Sequence, residues 1–281
     1  MLRELRVLGT EVNVTSENME RALLESLGDL HNIRVMHING ASTPQNDNSA
    51  KSYEGFITCR HLQYLQLNCL VFSGLPKWVK SSLAPNLSYL YVRVRGVKEQ
   101  DMETLARLPE LRSLKLRLCD ETELVNIKIP CTVQGVGYYF RKLRILNILG
   151  APIWFDLRGC ECHTSVVASA IMPSLEFLEF EVCVRLLKDA ALHSFGRLPG
   201  FESLGRTLLQ KVTVTVNCEG ACILDVEDVE DALERTAAVH PKRPNLEITR
   251  RREVEMLSPY QEVRTDHDAH RLTEQLYVFR S

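Results

Sequence analysis

The sequence predicts an α/β solenoid, in which short parallel strands form one sheet and helical or irregular segments return along the other side. Two observations predict this fold class. First, a short pattern with apolar residues at its first, fourth and sixth positions recurs along most of the 281-residue chain. Second, segments between the copies carry apolar residues at helical spacing. Because one unit cannot bury its apolar side alone, neighbouring units must stack and share one long core.

The repeated pattern is clearest in "LPELRSLKLRLC", residues 108–119, where the leucines are spaced first by three and then by two. Spacing by three is expected where the chain turns a corner, and spacing by two is expected in a strand. This is the leucine-rich repeat pattern, which predicts a horseshoe with a parallel concave sheet and a helical or irregular convex side. The nine irregular copies are centred on Leu5, Ile33, Leu65, Leu90, Leu114, Leu146, Leu178, Val212 and Leu246.

One return segment, 98–111, has the spacing of a helix. Met102, Leu105 and Leu108 lie on one helical face, and Pro109 is expected to end the helix. We therefore predict a short helix on the convex side, directly before the repeat that is centred on Leu114.

A longer helix is predicted at 224–241, where Asp225 is a candidate N-cap and acidic residues fill the first turns. Pro241 is expected to stop it before the last copy of the pattern. The apolar stripe of this helix consists of Val226, Val229, Leu233 and Ala237.

The copies predict one repeat domain over residues 1–250. The first copy begins at Leu2 with no capping segment before it, so we expect a domain that is truncated at its N-terminal side. No copy recurs after residue 250, and the charged segment 251–281 is expected to be a partly disordered tail.

Composition and charge restrict the class of protein. The chain is 45% hydrophobic and 25% charged with a net charge of −2, which is ordinary for a globular chain and gives no basis for nucleic acid binding. The apolar runs are too short for a membrane span, and the N-terminus lacks a signal-peptide pattern. The nine cysteines are an odd number without C-x-x-C spacing, so free thiols and a cytoplasmic location are expected.

Three short motifs resemble sites with chemistry, but each is interpreted as structural. "GFESLGRT" at 200–207 has the spacing of a phosphate-binding loop, yet Arg206 stands where the loop needs lysine and the strand follows the motif. "CECH" at 160–163 lacks the usual zinc spacing, and "DHDAH" at 266–270 is interpreted as solvated tail. We expect no cofactor, no metal ion and no enzymatic activity. The corner positions after three strands are taken by Cys119, Cys183 and Asn217.

Residues that alternate with the buried positions are expected to face outward on the concave sheet. This face is predicted to be basic in the early repeats, aromatic near the middle and acidic later. Tyrosine and arginine are typical interface anchors, which favours a protein-binding surface, although a solvated sheet would carry similar charges. The candidate binding residues are Arg6, Arg34, Tyr64, Gln66, Tyr89, Tyr91, Arg93, Lys115, Arg117, Asn147, Phe177, Glu179 and Glu181.

Three segments resemble the C-terminal leucine-rich repeats of plant nucleotide-binding immune receptors, in particular the coiled-coil class of grasses. They are "ENMERALLESLGDLHNIRVMHI" at 17–38, "LPKWVKSSLAPNLSYLYVRVRGVKEQDMETLARLPELRSLKL" at 75–116 and "VTVTVNCEGACILDVEDVEDALERTAAVHPKRPNLEI" at 212–248. The sequence departs from these receptors because it begins inside the repeats, without their coiled coil and nucleotide-binding domain.

The resemblance implies a non-enzymatic role in plant innate immunity. The partners that it implies are a pathogen effector, a guarded host protein, or the nucleotide-binding domain of a related receptor. The alternative is a generic intracellular leucine-rich-repeat scaffold without an immune role. An extracellular receptor domain is a third alternative, but it would show a signal peptide and paired cysteines.

Overall fold

The computed structural model describes residues 4–8, 32–39, 60–119, 125–128, 140–156, 172–189 and 207–257. Ten strands lie in these ranges, and each recorded pairing between them is parallel. The strands are β1 (Glu4–Leu8), β2 (Val35–Asn39), β3 (Tyr64–Phe72), β4 (Tyr89–Val94), β5 (Ser113–Leu118), β6 (Val125–Lys128), β7 (Ile145–Asp156), β8 (Phe177–Cys183), β9 (Lys211–Asn217) and β10 (Asn245–Arg251).

Nine strands follow one another across the sheet in the order β1-β2-β3-β4-β5-β7-β8-β9-β10, and β6 lies off this path and pairs with β7. Strands that are neighbours in the chain are therefore neighbours in space, as stacked repeats require. The predicted α/β solenoid with a parallel sheet is confirmed.

The strands alternate between buried and solvent-facing residues. In β5, Leu114, Leu116 and Leu118 are buried, while Ser113 and Lys115 are half-buried on the other side. Equivalent leucines of adjacent strands lie opposite each other in the parallel register, so the core runs continuously along the sheet. The period of two in the sequence thus separates a core side from an open side.

The helix α1 (Glu99–Ala106) returns between β4 and β5 and confirms the first predicted helix. Its buried residues include Met102 and Leu105, which pack into the core below the sheet. The backbone N–H of Lys98 donates to Asp101 Oδ2 at 2.9 Å, which satisfies a donor at the start of the helix.

Two further helices follow the later strands: α2 (Val184–Asp189) and α3 (Ile223–Val239). The predicted apolar stripe of α3 is buried, and the helix ends before Pro241 as expected. The predicted N-cap was wrong. Cys222 caps the helix, because its Sγ accepts the backbone N–H of Asp225 at 3.4 Å.

The second repeat lies three residues later than the sequence predicted. The prediction used residues 30–35 and placed Arg34 on the concave face. The register instead pairs Met36 with Leu65, and Met36 is fully buried. Arg34 lies in the turn before β2, where its carbonyl oxygen accepts the N–H of Gln63. Two overlapping copies of the pattern exist here, one centred on Ile33 and one centred on Met36. Only the later copy places both Met36 and Ile38 in the core.

Two irregularities and one extra strand were not predicted. The register shifts between Leu67 and Val71 in β3 and between Ile148 and Pro152 in β7, so that extra residues bulge out of both strands. The strand β6 lies between two copies of the repeat pattern, where no copy predicted a strand, and it pairs with the second half of β7. The two bulges arise from pairing between strands, and no local sequence pattern predicts them. The strand β6 has apolar residues at alternate positions, Val125 and Ile127, but it carries no copy of the repeat pattern.

The expected motifs at 160–163 and 266–270 and most of the motif at 200–207 lie outside the described residues. In the part of the chain that the structure describes, no group of three or more His, Cys, Asp or Glu residues is arranged so that it could bind a metal ion. None of the described helices is long and apolar enough to cross a membrane.

The chain remains attached to the last repeat after residue 250. Beyond β10, the N–H of Leu257 donates to the carbonyl of Ala221 at 3.0 Å, and the N–H of Gly220 donates to that of Glu255 at 2.9 Å. Residues up to Leu257 therefore pack against the corner that precedes α3.

An ion pair joins the last strand to the last helix. Arg250 of β10 donates to both carboxylate oxygens of Glu230 on α3, at 2.7 Å from Nε and 2.6 Å from Nη2. Both side chains are mostly covered. The hydrogen bonds from Arg250 hold the pKa of Glu230 below its ordinary value, against the opposing effect of burial.

We expect Glu230→Gln to lower the free energy of unfolding by about 1–2 kcal/mol at neutral pH, since a charge-assisted pair is lost. The folded-state pKa of Glu230 is depressed, so its contribution is present above the unfolded pKa of about 4.3. It is lost as the pH falls through the folded pKa. Urea unfolding of both proteins between pH 7 and pH 3 measures this.

The matched control is Glu234→Gln, an exposed residue of the same helix. It should change stability little at any pH. A stability difference between wild type and Glu230→Gln that stays constant down to pH 3 would contradict the ion-pair explanation.

Candidate protein-binding surface

We call the solvent-facing side of the sheet the open face; it carries the side chains that alternate with the buried ones. Because adjacent parallel strands are in register, these side chains form rows that cross the strands. The first row is Glu4, Val35, Tyr64, Tyr89, Ser113, Ile145, Phe177, Lys211 and Asn245. The second row is Arg6, His37, Gln66, Tyr91, Lys115, Asn147, Glu179, Thr213 and Glu247.

Most predicted site residues lie on the strands of the open face. Arg34 is the exception, because it precedes β2 as described above. Arg6 lies on β1 opposite His37. The remaining predicted residues on the open face are Tyr64, Gln66, Tyr89, Tyr91, Arg93, Lys115, Arg117, Asn147, Phe177, Glu179 and Glu181. Their role in binding stays a prediction.

Two tyrosines of the first row, on β3 and β4, stack on each other. The rings of Tyr64 and Tyr89 are 4.1 Å apart between centroids and nearly parallel, at an interplanar angle of 4°. Burial, followed by the hydrogen bond with Tyr64, raises the pKa of Tyr89, so its phenol is neutral under ordinary conditions. Stacking fixes both rings, which reduces the side-chain entropy that a partner must remove on binding.

A chain of amide hydrogen bonds borders the tyrosines. Tyr64 Oη donates to Gln66 Oε1 at 2.7 Å, and Gln66 Nε2 donates to Asn39 Oδ1 at 3.3 Å. Asn68 Nδ2 donates to the same oxygen of Asn39 at 2.7 Å. The ring of His37 lies 6.2 Å from that of Tyr64.

The sequence prediction missed His37 and Asn39 because it placed the second repeat three residues early. The signal that could have found them was present. If Ile33, Met36 and Ile38 are taken as the inward residues, His37 and Asn39 face outward.

Three cations of the open face lie on the neighbouring strands β4 and β5. Arg93 is half-buried and donates to the carbonyl oxygen of Asn68 at 3.2 Å. Lys115 Nζ lies 5.6 Å from the centroid of the Tyr91 ring, within the range of a cation–π contact. Arg117 is exposed. This part of the face therefore presents positive charge beside aromatic rings.

The polar side chains on β7 and β8 form a contrasting part of the face. Asn147 Nδ2 donates to Glu179 Oε2, and Asn147 is only 4% exposed. Glu181 is 3% exposed, and it accepts the N–H of Gly150 at 3.2 Å and Nη1 of Arg251 at 3.2 Å. Asn147 and Glu181 were predicted as contact residues, but both are covered and instead hold their neighbours in place.

The bulge in β7 explains why Glu181 is covered. The register shift between Ile148 and Pro152 brings the backbone N–H of Gly150 towards the Glu181 carboxylate. No sequence pattern marks this bulge. The side chains on this part of the face that remain accessible are Ile145, Phe177 and Glu179.

The other shifted pKa values have structural causes. Hydrogen bonds from Arg144 lower the pKa of Glu176, in an exposed bidentate pair between the turns that precede β7 and β8. Burial raises the pKa of Cys218, which keeps it a thiol and makes it a poor nucleophile. Among the described residues, these shifts reflect ion pairs and burial, and they do not group into an acid–base pair around a cleft.

A parallel sheet of stacked repeats with an ordered, amphiphilic open face is the architecture of a repeat solenoid that binds other proteins. The family model described as leucine-rich repeat region matches residues 1–246, and the chain belongs to this family. No curated protein matches the chain. Domains of this kind are typically non-catalytic binding scaffolds.

Proposed function

We propose that this chain is a non-enzymatic protein-binding domain of plant innate immunity, located in the cytoplasm. Its open face perceives a pathogen effector or a guarded host protein, or restrains the nucleotide-binding domain of a related receptor. The immune role rests on the resemblance of the segments 17–38, 75–116 and 212–248 to the repeats of such receptors.

One observation carries the binding role: the aromatic and cationic side chains of β3 to β5 are held in fixed positions on the open face. Tyr64 and Tyr89 are stacked, and Lys115 lies over Tyr91. Tyrosine and arginine dominate the binding energy of many interfaces. Side chains that are already ordered lose less entropy when a partner binds.

The charge of the side chains on β5 indicates which kind of partner surface the open face binds. Lys115 is half-buried and Arg117 is exposed on the same strand. In the part of the chain that the structure describes, neither residue forms an ion pair with a carboxylate. Uncompensated cations attract an acidic surface and exclude a basic one, so they act on partner choice and association rate. We therefore assign the contact with the nucleotide-binding domain to the basic part of the face.

We expect the double variant Lys115→Glu, Arg117→Glu to bind a co-expressed nucleotide-binding domain of a related receptor at least about tenfold more weakly, because attraction becomes like-charge repulsion. The defect should become smaller at high salt, since screening weakens both forces. Co-precipitation at several salt concentrations measures the association.

The matched control is Lys80→Glu, Lys242→Glu, which makes the same change of net charge at exposed positions off the open face. It should bind as the wild type does. If both double variants bind alike, or if the wild type does not bind the nucleotide-binding domain, the proposed restraint is wrong and a scaffold role without that partner is favoured.

A further inference from the structure

A second part of the open face lies on β7 and β8, and we call it the β7–β8 patch. It consists of Ile145 and Phe177 in the first row and Asn147 and Glu179 in the second. Ile145 and Phe177 lie opposite each other in register and are 41% and 38% exposed, so they form one accessible apolar pair across two strands. The patch thus places an apolar pair directly beside a carboxylate.

The two cations that flank the patch turn away from Glu179. Lys115 lies over the ring of Tyr91, on the side of its strand away from the patch. Lys211 forms an ion pair with Glu247 at 2.8 Å, towards β10 and likewise away from the patch. Within the described ranges, no cation is recorded beside the Glu179 carboxylate.

Glu179 is nevertheless held in a defined position. Asn147 Nδ2 donates to its Oε2, and Asn147 itself is buried. A carboxylate can accept about four hydrogen bonds, so Glu179 keeps acceptor capacity for an incoming donor. An oriented carboxylate with an accessible apolar pair beside it is complementary to a side chain that has an apolar stem and a cationic head.

We propose that the β7–β8 patch binds an arginine side chain presented by a protein partner. The guanidinium donates to Glu179, while the arginine stem and the guanidinium plane lie on Phe177 and Ile145. The two rows are about 6.6 Å apart along each strand, which the long arginine side chain can span. Arginine suits the patch better than lysine because its planar fork pairs with carboxylates and stacks on aromatic rings.

This assignment rests on the proposed protein-binding function and adds the chemistry of one contact. With this assignment, the open face consists of two surfaces that prefer partner residues of opposite charge. The tyrosine and cation region on β3 to β5 selects acidic partner surfaces, whereas the β7–β8 patch selects a basic residue. A partner that contacts both surfaces must therefore place its acidic groups over β3 to β5 and its basic residue over β7 and β8. This requirement fixes the orientation of the partner along the sheet.

The test uses the full chain and a displayed library of random peptides. Peptides selected on the wild-type chain should be enriched in arginine, and a subset should lose binding to Glu179→Gln and to Phe177→Ala. A synthetic peptide from that subset should bind about tenfold or more weakly when its arginine is replaced by citrulline, which keeps the shape and removes the charge. The same loss is expected with Glu179→Gln, and none with the exposed control Glu234→Gln.

Citrulline is tested on the wild-type chain, so the assignment stays testable even if a variant fails to fold. Equal binding of the arginine and citrulline peptides, or selection without arginine enrichment, overturns the assignment. If the selected peptides depend on Tyr89 or Lys115 but not on Glu179, only this assignment fails. If no selected peptide depends on any residue of the open face, the proposed binding function fails with it.

Discussion

Replacement of Leu114 by alanine should destabilise the domain by about 2–5 kcal/mol. Leu114 is fully buried at the centre of the sheet, where it lies between Leu90 on β4 and Leu146 on β7 in the parallel register. All three strands are held by neighbours on both sides, so the cavity left by the missing side-chain atoms cannot close by a local shift. Urea unfolding of the variant and the wild type measures the loss.

The control is Lys115→Ala, one residue further along the same strand. Lys115 points to the open face, so its truncation should change the free energy of unfolding by about 0.5 kcal/mol or less. Equal losses for the two variants would contradict the assignment of a core side and an open side to β5.

Gly150→Ala is the second substitution with a large expected effect, and we expect a loss of about 2–4 kcal/mol. Gly150 has a φ of +90°, which only glycine adopts without strain. A Cβ atom at this position would overlap the backbone carbonyl oxygen of Leu118, which cannot move without shifting β5. The backbone N–H of Gly150 also donates to the buried Glu181, so a shift would weaken that contact.

Gly96→Ala is the matched control, because a Cβ at Gly96 would meet no atom within 4 Å. This variant should be neutral or slightly stabilised, since alanine restricts the unfolded chain. Thermal unfolding of the two variants side by side measures the difference. A Gly150→Ala protein as stable as Gly96→Ala would show that the bulge in β7 does not constrain the sheet.

The recurring apolar spacing was sufficient to predict the order of the strands. Eight of the nine predicted copies have the predicted register, because buried residues at Leu65, Leu90 and their equivalents can face only one way once strands stack. The copy before Leu65 was misplaced because two overlapping sets of apolar residues satisfy the pattern there. Only pairing with β3 selects between them.

The candidate site was less predictable than the core. Alternation along each strand placed Tyr64, Tyr89 and Lys115 on the open face. It could not distinguish half-buried Glu179 from fully buried Glu181, because that difference depends on a bulge in another strand. Nor could it predict that Lys115 leans towards Tyr91, since side-chain direction within a row depends on neighbours that are distant in the chain.

The sequence by itself determined that this protein is a stack of repeats with a leucine-lined core, because local apolar spacing decides which residues each repeat must bury. The tertiary structure alone decided which outward residues are accessible and which carry an uncompensated charge. Those properties arise from contacts between repeats about 25 to 35 residues apart, such as Asn147 with Glu179 and Lys211 with Glu247. The repeat pattern describes only residues within one repeat. It therefore cannot predict contacts that join side chains of two different repeats.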